Sequence, residues 1–296
     1  MLALAAIWGS SFLFIKVGIS ELPPLFVALG RVLGGVLALM IIAAVTRDRL
    51  PRQLRTWGHN AVVGVVGIAL PFTLFAYGEQ RISSLLAGIW NSVTPLFVLP
   101  IAVAVFRTER LTGRRVAGLV LGFAGALVIL GVWRGVGGSS LTGQLMCLGA
   151  AVCYGIAIPY TRKFIAPRPE SGLAMSVIQL MVATALLGVV APLVNDGFPP
   201  VLELSAPVVA SVAALGVVGT GLAFVINMSN IRRLGASAAS MVTYIIPLFA
   251  TLIGVLVLHE ALAWFQPVGA VIVLLGVAVA QGGRRQRRAA DQDGSP

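Results

Sequence analysis

Charge is what this sequence has least of. Only 10% of its 296 residues are Asp, Glu, Lys or Arg, against about 25% in an ordinary soluble domain. Histidine occurs twice, as His59 and His259, each at the edge of an apolar run. Neither a haem nor a His-liganded metal therefore has candidates at depth, and no nucleophile has a base within reach. No catalytic residue, cofactor or metal is expected, and the chain is read as a non-enzyme. The two cysteines, Cys147 and Cys153, lie six apart in one run; helical geometry puts them on different faces, so no disulfide is expected. The net charge of +11 comes from short clusters between apolar runs, not from one solvated basic face, which excludes nucleic acid as a partner.

What fills the chain is hydrocarbon: 58% of residues are hydrophobic, in runs close to the roughly 20 residues that a helix needs to cross a bilayer. Ten spans are read at 1–18, 24–46, 59–78, 83–106, 115–133, 142–162, 171–194, 206–229, 235–258 and 264–281. Lys16 follows the first apolar stretch instead of preceding it, so that stretch is a span and not a leader. The polar tail, 282–296, is expected to be a disordered basic segment.

With the N-terminus inside, seventeen of the 21 basic residues fall on the cytoplasmic side. The other side holds only Lys16, Arg81 and Arg134, and Arg31 lies within a span. This asymmetry predicts a multi-pass plasma-membrane protein with both termini in the cytoplasm.

Residues 81–127 also align with 233–278. Arg81 meets Arg233, Pro95-Leu96-Phe97 meets Pro247-Leu248-Phe249, Glu109 meets Glu260, and Gly118 and Gly125 meet Gly269 and Gly276. Earlier, Trp8-Gly9 meets Tyr154-Gly155, and Phe72 meets Phe224. The offset stays near 150, which implies duplication, with one five-helix repeat over 1–134 and another over 142–281. Five is odd, so the second repeat enters the membrane from the opposite side. The expected fold class is thus all-α integral membrane, ten transmembrane helices as two inverted repeats, an architecture of alternating-access transporters.

The chain resembles the EamA family of the drug/metabolite transporter superfamily. The resemblance rests on Ala5-x-x-Trp8-Gly9-Ser10-Ser11-Phe12, Arg31, the Pro95…Glu109-x-Leu111 and Pro247…Glu260-x-Leu262 patterns, and the paired glycines of spans five and ten. It covers residues 1–281. It implies an exporter of amino acids, other metabolites or drugs, with a central cavity lined by spans one to four and six to nine and with spans five and ten as scaffold.

Candidate lining residues are the polar and aromatic groups inside spans. Pro95 and Pro247 each free the carbonyl four residues earlier, on Asn91 and Thr243, and irregular backbone at depth is tolerated only against protein or a watery cavity. Thr94, Ser240 and Tyr244 lie within a turn of these. Arg31 reads either as a structural interhelical arginine or as an anion-binding group, with Gln179 as its uncharged counterpart. Trp8 and Tyr154 read as core or as cavity walls; Ser11, Tyr77 and Asn227 complete the lining. Glu109 and Glu260 read as helix-end anchors. No Asp or Glu falls mid-span, which leaves a carboxylate proton relay without a candidate and favours facilitated diffusion or exchange. The small residues Gly118, Gly122, Gly125, Gly269 and Gly276 are expected to join spans five and ten to their own halves, or to make a dimer contact. Monomer and homodimer both remain open, as do a channel-like pore and a structural membrane protein as other functions.

Overall fold

The computed structural model describes residues 2–108, 112–130, 133, 140–227, 242–261 and 263–281. Among these residues the chain is helical and forms no strand. We label the helices α1 Leu2–Gly18, α2 Pro24–Thr46, α3 Leu54–Glu79, α4 Ser84–Ala104, α5 Gly113–Leu130, α6 Leu141–Phe164, α7 Gly172–Val194, α8 Ala206–Asn227, α9 Val242–Leu256 and α10 Phe265–Gln281. Six of them, α2, α3, α4, α6, α7 and α8, are long and apolar enough to cross a bilayer.

Local chemistry sets the boundaries. α2 opens at Pro24, where a missing N–H costs nothing. It closes at Arg47 in the left-handed region (φ 56°), whose amide and that of Asp48 return to Ala43 and Ala44 carbonyls. Ser83, Ser140 and Ser171 cap α4, α6 and α7 by accepting the amides of Leu86, Gly143 and Ala174. Devices recur at the same offset as the sequence alignment. Left-handed ends occur at Arg47 and Asp196 and at Arg107 and His259, and π-helical turns interrupt α3 at Val65–Ala69 and α8 at Ala214–Leu222.

Beyond Arg31, α2 is apolar all round: Leu39 is 0% exposed and faces the bundle, while Ile41 (65%) and Val45 (79%) face outward. In water such a face would be unstable, and in lipid it is the ordinary exterior. α1 packs on α9 and α8, and α6 correspondingly on α4 and α3; α2 packs on α7 and α8, and α7 on α3. Glycines set the closest approaches. A Cβ on Gly9 would stand 2.6 Å from the Phe249 Cβ, and one on Gly155 2.5 Å from the Phe97 Cβ.

α5 and α10 pack mainly on each other. A Cβ on Gly276 would stand 2.5 Å from the Gly122 nitrogen and 2.6 Å from the Gly118 oxygen, and one on Gly125 2.8 Å from the Gly269 oxygen. This corrects the expectation that these glycines tie each helix to its own half. Where these glycines face one another the two backbones meet across halves, flanked by Ile129 and Val273.

The α2–α3, α4–α5 and α6–α7 connections gather at one end, which carries Arg47, Arg49, Arg52, Arg107 and Arg168 and is called the arginine-rich end below. The other end joins α1–α2 to α7–α8 through Ser205, whose amide donates to Glu21 at 2.8 Å. Hydrogen bonds from the Ser205 hydroxyl and amide hold the Glu21 carboxyl below the ordinary carboxylate range. Both cysteines are free thiols, as expected.

Candidate functional site

The middle of the bundle is built around a break in α4. Pro95 has no N–H to return to the Asn91 carbonyl, and the helix parts there into Ser84–Asn91 and Thr94–Ala104. The joint tightens to three-residue bonds, from Ser92 to Ile89, Val93 to Trp90 and Leu96 to Val93. Asn91 is half-buried, and Thr94 is 4% exposed with a hydroxyl that makes no hydrogen bond. Trp90, fully buried, donates from Nε1 to Gln144 Oε1 at 3.2 Å and locks α4 to α6.

Arg31 is 8% exposed. Its Nε donates to Thr220 Oγ1 at 3.2 Å, and its Cζ sits 3.8 Å from the centre of the Phe72 ring, a cation–π geometry. Thr220 belongs to the π-helical stretch of α8 and donates in turn to the Leu215 carbonyl. The terminal guanidinium nitrogens make no hydrogen bond to the described residues, and Tyr154 and Glu79 lie within electrostatic range. The half-buried Tyr154 ring tilts against Phe75 at 6.3 Å, and Phe75 meets Phe12 edge-on at 5.5 Å. The arrangement offers fork-shaped cationic donors beside aromatic faces, suited to a carboxylate with an apolar or aromatic body.

The other sequence candidates fall around this belt. Ser11 is buried and bonds the Ile7 carbonyl. Trp8, Tyr77 and Asn227 are half-buried. Gln179 is not beside Arg31: its Nε2 donates to Asn60 Oδ1 at 2.8 Å, toward the arginine-rich end. The carbonyls of Arg31 and Gln179 do play matching parts, each lying against a glycine of the opposite half, Gly216 and Gly64 respectively. Ser240 lies outside the described residues, as do the side chains of Thr243 and Tyr244. So do Glu109, Leu111, Arg134 and the 282–296 tail.

Polar latches bridge both ends of the bundle. At the arginine-rich end Arg168 Nη1 donates to Thr56 Oγ1 at 2.6 Å, and Thr56 donates to Glu170 Oε1 at 3.1 Å. There Ser171 donates to Asp48, and His59 pairs with the Tyr160 hydroxyl at 2.8 Å while stacking on Phe164. At the opposite end Lys16 Nζ donates to the Glu79 and Ile82 carbonyls, at 2.6 and 3.0 Å, complementing the negative end of α3. Glu260 accepts from the Ser84 amide and hydroxyl and from the Leu85 amide, at 2.9 to 3.0 Å, complementing the positive start of α4. The α3–α4 turn is thus clamped between a cation of α1 and an anion following α9. A hollow of about 420 Å³ opens beside this clamp, lined in part by Lys16, Arg81, Ser83, Leu86 and Gln266. A second, apolar one lies along α10 at Val271, Leu274, Leu275 and Ala278. Neither is lined by the twelve candidate residues.

One group escapes the sequence reading. Glu79 closes α3 one residue beyond the span read at 59–78, and it is 0% exposed. Gly78 lets α6 in so closely that a Cβ there would stand 2.5 Å from Cys147 Sγ and 3.1 Å from the Gly143 oxygen. That approach and Lys16 seal Glu79 from both sides. The sequence still holds no Asp or Glu mid-span; what the fold adds is a carboxyl buried at a span end. A polar run Glu79-Gln80-Arg81 looks like a loop, and only the small residue before it hinted at close packing.

An all-helical bundle whose outward faces are hydrocarbon and whose middle holds a buried arginine is a multi-pass membrane protein. The chain belongs to the EamA-like transporter family, which matches residues 1–131 and 141–281. Among similar curated proteins, the uncharacterized transporter YvbV of Bacillus subtilis is 28% identical over 97% of this chain and 92% of its own. A protein of Salmonella typhimurium named "Probable amino-acid metabolite efflux pump" is 25% identical over 99% and 97%. One of Streptantibioticus cattleyicolor named "Probable terminal-alkyne amino-acid exporter" is 27% identical over 91% and 88%. A crystal structure at 23% identity superposes with a TM-score of 0.64 over 96% of each chain, a likeness of fold.

Proposed function

We propose that this transporter exports amino acids or related small carboxylate-bearing metabolites across a bacterial plasma membrane, by alternating access. The observation that carries the reading is Arg31. A guanidinium at the middle of a lipid-facing bundle is costly, yet among the described residues only its Nε finds a hydrogen-bond partner. Its remaining donors are those that a solute carboxylate would take, with Phe72 and Tyr154 as walls for the side chain and Trp8, Ser11, Tyr77, Asn91, Thr94, Gln179, Asn227, Ser240, Thr243 and Tyr244 around the path.

The two halves, 1–134 and 142–281, thread the membrane in opposite senses in this reading, giving ten crossings with both termini cytoplasmic. The offset of near 150 in the aligned residues, the recurring left-handed ends, the paired π-helical turns and the exchanged packing of α1 on α9 with α6 on α4 all support it. So does the crowding of basic residues at one end. Opening the arginine-rich end breaks the Thr56–Arg168–Glu170 network, and opening the other end releases the α3–α4 turn.

The test is counterflow in proteoliposomes loaded with unlabelled amino acids and supplied with labelled ones outside. Saturable exchange with trans-stimulation is expected. Flux linear in concentration would make the protein a channel, and absence of flux for every amino acid and every carboxylate analogue tried would sink the substrate assignment.

A further inference from the structure

Resting on the transport reading, we propose that Glu79 is a proton-binding site that ties opening of the Lys16/Glu260 end of the bundle to the loss of one proton. The carboxyl is fully buried, and neither oxygen has a hydrogen-bond partner. None of the charged or titratable groups that face it hydrogen-bonds to it. Lys16, from α1, gives its ammonium to two backbone carbonyls. Arg31, from α2, gives its Nε to Thr220 and stacks on Phe72, and its other donors do not reach the carboxyl. Glu260, following α9, is engaged at the start of α4 by the Ser84 and Leu85 amides. Cys147, from α6, is a buried thiol packed on Gly78.

An ionised carboxylate in this place would be a buried charge with no hydrogen bond to hold it, and such a group takes up a proton instead. The closed end therefore holds Glu79 as the neutral acid. When the end opens, water reaches the carboxyl and the Lys16 ammonium leaves the α3 carbonyls. The Glu79 O–H bond then breaks, the proton passes to water, and the carboxylate that remains pairs with Lys16. The proton is bound in the closed form and absent in the open one, so acid holds this end shut and alkali favours opening. The limit for one linked proton is about tenfold in the open-to-closed ratio per pH unit.

Two readouts on purified, reconstituted protein test this without any solute. Infrared spectra at neutral pH are expected to show a protonated, buried carboxyl band that vanishes in Glu79→Gln. Maleimide labelling of Leu86→Cys, a buried residue lining the hollow at this end, in a Cys147→Ala/Cys153→Ala background, is expected to rise with pH. The rise, between about pH 5 and 8, is corrected with a cysteine at the exposed Leu202, approaches the tenfold-per-unit limit and flattens in Glu79→Gln. An unchanged carboxyl band, or the same pH dependence in the variant, overturns the proposal. Should Glu79→Gln fail to assemble, Glu79→Met serves in its place, and in the unmutated protein a labelling profile that does not titrate with the carboxyl band overturns it equally. Failure here would leave the transport reading intact, since that is decided by counterflow.

Discussion

At the scale of single residues, the informative side chains are those whose bonding is incomplete. Arg31 was legible in the sequence as the one charge set inside an apolar run, but its partners Thr220 and Phe72, 189 and 41 positions away, were not. Arg31→Lys keeps the charge and part of the contact with Phe72 while losing the planar fork. We expect the KM for a carboxylate solute in counterflow to rise about tenfold or more, the worth of roughly one charge-assisted hydrogen bond, with a melting temperature close to that of the parent. An unchanged KM would reduce Arg31 to a structural strut. Glu260 is the opposite case, a carboxylate whose acceptors are all used. Its role as a helix-end anchor could be read from its place after a span, while the helix it anchors could not, because α4 lies some 175 residues earlier. Glu260→Ala leaves the Ser84 and Leu85 amides bare, and should cost about 1–3 kcal/mol of stability, seen as a lower melting temperature in detergent.

At the scale of helices, periodic apolar runs located the elements well wherever their ends were marked by proline or serine, as at Pro24 of α2 and Ser171 before α7. α3 was the exception. It begins at Leu54, not at 59, because Arg55 reads as a loop residue and His59 and Asn60 make a polar edge to the apolar run. In the fold Asn60 and His59 find Gln179 and Tyr160 on α7 and α6. Polar residues that pair with other helices cannot be told from solvated ones in a single run. The glycine contacts separate moving parts from scaffold by experiment. Gly155→Ala drives a Cβ to 2.5 Å from the Phe97 Cβ, where α6 meets the second segment of the broken α4. It should cost about 1–3 kcal/mol and also alter the transport rate. Gly276→Ala creates an equally severe clash between α10 and α5, and should lower stability with KM unchanged. Equal kinetic effects from both would contradict a scaffold role for α5 and α10.

At the scale of the whole molecule, topology is the testable quantity. Cysteines placed at Arg49 and at Glu203 should react with an impermeant maleimide from opposite faces, the first only from the cytoplasmic side. Labelling of both from one face would break the alternation of crossings. Duplication and opposed threading are proposed from a repeat and a charge asymmetry in the residues, and this labelling decides them. The latches at either end were not readable from the residues, since they join residues from 63 to 176 positions apart, such as Lys16 with Glu79 and Ser84 with Glu260.

The glycine seam between α5 and α10 has a consequence in time. Those surfaces belong to the middle and the end of the chain, and synthesis proceeds at about 5–20 residues per second. The first-made helix of the pair thus stands in the bilayer for roughly ten to thirty seconds before its mate emerges. In that interval its bare backbone stripe is open to any passing helix, and a nascent chain arrested before Phe265 should be the form that quality-control proteases recognise.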